Sequence, residues 1–161
     1  MEITIDWQPP IQLTKAKNLI VEADDLPDAI ENTPGVYYFS RRHGPDYTPF
    51  YIGETLTLRS RLKTHLNSVS IVDVLRGASK EDDRIRQGAR YFHYGYFVGR
   101  PRQDAKTCLQ IVQRMMIRLA IDNGTPILNK QLTKIRTHEI LFEGHGEGRG
   151  WYGSSHTVDD S

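Results

Sequence analysis

Hydrophobic and polar positions fall into two short blocks near the start of the chain. Gly35 to Phe39 and Pro49 to Ile52 are rich in aromatic and β-branched residues, and a polar stretch, Ser40 to Thr48 with Gly44-Pro45-Asp46 inside it, parts them. Such a pattern predicts a β-hairpin with a long loop. The period then lengthens. Leu58, Leu62 and Leu66 form one stripe of a helix that Thr55 or Thr57 can cap, and Asn67 to Arg76 fits a further helical turn. Gly77 to Gly88 is polar and predicts a loop, whereas Tyr91 to Val98 alternates as a strand does. Asp104 to about Asn123 is the clearest helix. Leu109, Val112, Met116 and Leu119 recur at threes and fours, Cys108, Ile111 and Met115 widen the face, and Asn123-Gly124 closes it.

The flanks are less regular. Residues 1 to 12 suggest an extended arm, and 13 to 31 carry helical spacing in pieces. One piece is a short helix to about Glu31, capped by Asp24 or Asp25 with Pro27 in its first turn. Pro126 to Asn129 reads as an ordered connector and Ile135 to Phe142 as a short strand. The Gly-rich remainder is expected to be mobile. The expected organisation is an acidic arm and helix (1–32), a central domain (33–143) and a flexible tail (144–161). The fold class is α/β of the α+β type: a small, mainly antiparallel sheet of three strands, flanked by helices.

Composition narrows the class. A chain of 161 residues, 38% hydrophobic and 25% charged, is long enough for one domain with a sizeable core. The single cysteine, Cys108, excludes an internal disulfide and reads as a core thiol. No secretory h-region opens the chain and no apolar run approaches a membrane span, so a cytoplasmic protein is expected. The net charge of +1 conceals an asymmetry: residues 1 to 32 hold seven acids and two lysines, a balance of −5, which leaves +6 for the rest. Arginines and lysines crowd the stretch from Arg41 to Lys106, a pattern that suits a polyanion such as DNA as well as it suits a solvated surface.

The candidate chemistry gathers around the hairpin. Successive strand residues face opposite ways, so only one of Tyr37 and Tyr38 can share a site with Tyr51. Arg61 and His65, four apart, share a helix face, and the start of that helix offers backbone dipoles to a phosphate. A phenol whose pKa is lowered by such cations can take a proton from water. His138, His145 and His156 lack metal-ligand spacing, and no Walker, dinucleotide or Cys-cluster signal is present.

The stretch "GVYYF…FYIGETLTLRSRLKTH" resembles the GIY-YIG nuclease family, and the resemblance extends over roughly residues 33 to 131. It implies a metal-dependent DNA endonuclease that hydrolyses phosphodiester bonds of double-stranded DNA with Mg²⁺ or Mn²⁺; the short chain, without an obvious second DNA-binding domain, leans to the restriction kind, for which a homodimer is expected. Tyr37 and Tyr51, rather than Tyr38, become the catalytic phenols. Arg61 clamps the phosphate, His65 orients water or protonates the leaving oxygen, and Asn129 buttresses the site. Arg59, Lys63, Arg84, Arg86 and Arg90 are expected to contact the DNA backbone. The metal-binding glutamate of the family falls three residues before Met116-Ile117, where this chain has Gln113. A neutral amide is a much poorer Mg²⁺ ligand than a carboxylate. Gln113 therefore implies either an inactivated nuclease or a binding-only nucleic-acid protein. A protein-interaction module on the same scaffold is a third reading.

Overall fold

A computed structural model of the protein describes residues 1–16, 18–75, 88–125, 127–128, 136–141 and 155–160. The chain divides into two compact units, Met1–Ile127 and Leu128–Ser161. The first is a mixed α/β body with an antiparallel sheet. Its hairpin strands are β5 (Gly35–His43) and β6 (Asp46–Thr55), and β7 (Ala89–Val98) flanks β5 on the other side. These are the three strands expected. The sheet has five, because β1 (Thr4–Trp7) and β2 (Ile11–Gln12) both pair with β7, giving the order β1-β7-β5-β6. The β5–β6 turn is shorter than the long loop expected, since pairing continues out to His43 and Asp46.

The N-terminal segment overturns a second expectation. Among the described residues of 1–32 there is no helix; besides β1 and β2 it forms β3 (Thr14–Lys15) and β4 (Asn18–Leu19). The reason is tertiary pairing. Leu13 N–H donates to the Arg90 carbonyl at 2.8 Å, and Arg90 N–H donates to Thr14 Oγ1 at 2.9 Å. The exposed edge of β7 needs partners for its backbone, and that demand outweighs weak helical spacing.

The helices follow the expected order: α1 (Leu58–Leu66), α2 (Val69–Leu75) and α3 (Ala105–Asp122). Asp104 caps α3, accepting from Thr107 N–H at 2.9 Å. Leu58, Leu62 and Leu66 are buried, as the stripe predicts. α3 departs from its expected face: Cys108, Leu109, Ile117 and Ala120 are buried, whereas Ile111, Met115 and Leu119 stay exposed. Helical spacing shows a stripe but not which edge of a wide one meets the sheet.

Register fixes which residues share a face. Tyr37 lies opposite Gly53 on one side and Tyr94 on the other, and Phe39 opposite Tyr51 and Phe92. Tyr38, opposite Ile52 and His93, points the other way. A bulge between Phe39 and Ser40 shifts the β5–β6 register beyond that point.

The second unit contains β8 (Arg136–Leu141) paired antiparallel with β9 (Ser155–Asp160), from Arg136 opposite Asp160 to Leu141 opposite Ser155. The expected terminal strand is present as β8, and residues 155–160, in the Gly-rich stretch, form its partner strand. No helix among the described residues is long and apolar enough to cross a membrane.

Candidate active site

Gly53 is what allows the site to form. A side chain there would run into the ring and hydroxyl of Tyr37, its partner across β5 and β6. With only hydrogen in that place, the Tyr37 ring lies flat over β6 and stacks on Tyr51, centroids 6.3 Å apart and planes 16° from parallel. α1 supplies the third ring. His65 meets Tyr37 edge-on at 5.5 Å and Tyr51 at 5.0 Å, and Tyr37 Oη lies 2.7 Å from His65 Nε2. Tyr37 and His65 are 2% and 7% exposed, while Tyr51 is half-buried.

Arg61 and His65 part company on α1. His65 joins the leucine stripe and faces the sheet, whereas Arg61 is exposed. Arg61 lines a cleft of about 320 Å³ together with Glu54, Thr57, Ser60, Thr64 and Lys106. Its charge favours the ionised form of both Tyr37 and Tyr51. The positive potential of the cleft comes from side chains more than from the helix terminus. The Leu58 and Ser60 amides are already bonded, to Thr33 O at 3.1 Å and Asn32 Oδ1 at 3.1 Å. Lys106, in the first turn of α3, was not singled out by the sequence; nothing but its position in a basic stretch marks it.

The titrations run against the expected direction. Burial raises the pKa of both phenols, and Arg61 offsets this only in part. Tyr37 is raised far more, with Tyr51 and Glu54 adding to the effect of burial, so it stays protonated. Burial, with Arg61 second, lowers His65 to about 4, so the imidazole is neutral near pH 7 and a weak base there. Glu54 is raised by burial, against the pull of Arg61 and Lys106.

Gln113 reaches the same strand by a different route. Its Nε2 donates to the Ile52 carbonyl at 3.2 Å, between the positions of Tyr51 and Gly53. An ionised carboxylate could not make that bond. Divalent-cation chemistry calls for several anionic oxygens. The described residues hold no group of three or more His, Cys, Asp or Glu that could bind an ion. Glu54 faces two cations, and the amide of Gln113 is committed to the strand. As it stands, this donor set does not fit Mg²⁺ or Mn²⁺.

The expected DNA-contacting cations separate into three groups. Arg90 is a correction: it is 1% exposed, its guanidinium sits 5.6 Å over Phe50, and it donates to Gly88 O at 2.6 Å. Arg59 is tied down as well, donating to the carbonyls of Pro27, Ile30 and Leu26 at 2.7, 3.1 and 3.2 Å. Lys63 remains at the surface, 3.7 Å from an exposed Asp24. Arg84, Arg86 and Asn129 lie outside the described residues. The chain matches no protein-family model, no curated protein and no solved structure.

Proposed function

We propose that this chain is a GIY-YIG-like protein whose α1–β5–β6 corner handles a DNA phosphodiester, with the site of a metal-dependent endonuclease in which Gln113 suppresses cleavage. One observation carries the reading: the 2.7 Å pairing of Tyr37 Oη with His65 Nε2 under the Tyr51 ring, beside the Arg61 cleft. Arg61 and Lys106 neutralise the phosphate and the charge that develops on it. Tyr37, held protonated, is a fixed hydrogen-bonding phenol. Neutral His65 orients it through their hydrogen bond. Tyr51, less buried and nearer in energy to ionisation, is the phenol placed to exchange a proton with water.

Mg²⁺ or Mn²⁺ is the cofactor this reading implies, and position 113 is where its anionic ligand is wanting. A symmetric pair of chains would cut both strands of duplex DNA. The Gln113–Ile52 bond also favours a second reading, a protein that binds nucleic acid without cutting it, because there the amide serves the fold. The test is nicking and linearisation of supercoiled plasmid with Mg²⁺ or Mn²⁺, with and without chelator. The Gln113 protein is expected to be nearly inactive and Gln113→Glu to cleave, at a cost of about 1 kcal/mol in stability for the lost Ile52 bond. A folded Gln113→Glu protein that never cuts supports the binding-only reading. Duplex affinity that does not fall with salt would remove DNA as the partner.

A further inference from the structure

The opposite face of the sheet carries a second set of rings that the proposed site does not use. Tyr38 stacks on His93 at 4.2 Å and 10°. Trp7 meets Tyr38 edge-on at 5.5 Å, and Tyr47 meets His93 at 4.9 Å and Tyr91 at 5.1 Å. Register puts these rings together, since Tyr38 lies opposite His93, Ser40 opposite Tyr91 and Arg42 opposite Tyr47. His93 is held by Ser40 Oγ at 2.8 Å. The cluster is open at both ends, with Trp7 43% and Tyr47 36% exposed. Across it lies a cation. The Arg42 guanidinium sits 5.2 Å from the Tyr47 centroid and 6.0 Å from that of Tyr91. Its Nε donates to the Gly44 carbonyl, and among the described residues no carboxylate lies within 4.0 Å of it.

We infer that this face binds unpaired nucleobases, as a stacking platform for single-stranded nucleic acid. Exposed indole and phenol rings offer flat surfaces to bases of any sequence, and a guanidinium with no carboxylate partner complements the phosphates between them. The rings are held in place by one another and by the Ser40–His93 bond, so little side-chain freedom is lost on binding. An apolar protein partner would not call for an exposed guanidinium over the rings at the Tyr47 end of the patch. The inference does not rest on the proposed cleavage site, which lies on the other face.

The test is fluorescence anisotropy in the Arg61→Ala background, which weakens any binding through the cleft. The probes are a labelled oligothymidylate, an abasic oligonucleotide of equal length, and a proline-rich peptide. Oligothymidylate is expected to bind at least tenfold more tightly than the abasic strand. Tyr47→Ala is expected to remove roughly tenfold of that affinity, Tyr47→Phe to keep it, and Arg42→Ala to weaken both strands. Quenching of Trp7 emission, read in a Trp151→Phe protein, places the bases on this face. Equal affinity for the abasic strand, indifference to Tyr47→Ala, or binding of the peptide in place of the oligonucleotide would overturn the inference.

Discussion

Tyr37 and Tyr38 are neighbours in one strand, and each meets a histidine, yet the two pairs are built differently. On one face the Tyr37 hydroxyl is bonded end-on to His65 and lies next to a cationic cleft. On the other, the Tyr38 ring lies flat on His93, and the nearby cation, Arg42, covers rings instead of lining a cleft. The first arrangement aims polar atoms at one point. The second spreads ring faces over a surface. Strand alternation separates them, and the side of the strand, more than residue type, decides what a tyrosine can do.

The two faces nevertheless respond alike to acid. Both imidazoles are pushed down by burial to about 4. The unfolded chain, with histidines near 6.5, therefore binds protons first as pH falls. Their contribution to stability is complete above pH 6.5, is lost between 6.5 and 4, and changes no further below, each histidine costing about 3 kcal/mol. Urea midpoints across that range should show the decline, and His65→Gln or His93→Gln should each remove about half of its slope. A flat profile would mean that the imidazoles are less buried than the structure has them.

A sharper break between the faces comes from Gly53→Val. It drives a side chain into the Tyr37 ring and should cost about 2–3 kcal/mol by denaturant unfolding. The Trp7 face should remain intact by near-ultraviolet circular dichroism. Next in size, Arg59→Ala frees three carbonyls and should cost about 2 kcal/mol, whereas Arg61→Ala, at an exposed position, should change stability by less than about 0.5 kcal/mol. The smallest effect separates the two tyrosines. Tyr37→Phe strips a buried hydrogen bond from His65 and should cost about 1 kcal/mol, while Tyr38→Phe, whose ring contact survives, should be near neutral.

Much of this was legible in the sequence because the relevant signals are local. The hairpin blocks around Tyr37 and Tyr51, the leucine stripe of α1 and the periodic run from Asp104 to Asn123 each define an element within a few residues. What stayed hidden depends on distant partners. The strands of the acidic arm exist because β7 had an unpaired edge, which spacing in residues 13–31 cannot reveal. Arg90 and Arg59 read as surface cations until Phe50 and the carbonyls of residues 26–30 close around them. The phenol titrations were misjudged for the same reason: charge can be read from a sequence, but burial cannot, and here burial prevails. Lys106 entered the site only when α3 packed beside β6.

The most direct test sets the two tyrosines against each other in catalysis. Supercoiled plasmid is incubated with Mg²⁺ or Mn²⁺ and with Gln113→Glu alone, with Gln113→Glu Tyr37→Phe, and with Gln113→Glu Tyr38→Phe. The account predicts cleavage by the first protein, a loss on the order of a hundredfold or more for the Tyr37 variant, and little change for the Tyr38 variant. Equal loss at both tyrosines, or cleavage that survives Tyr37→Phe, would contradict it.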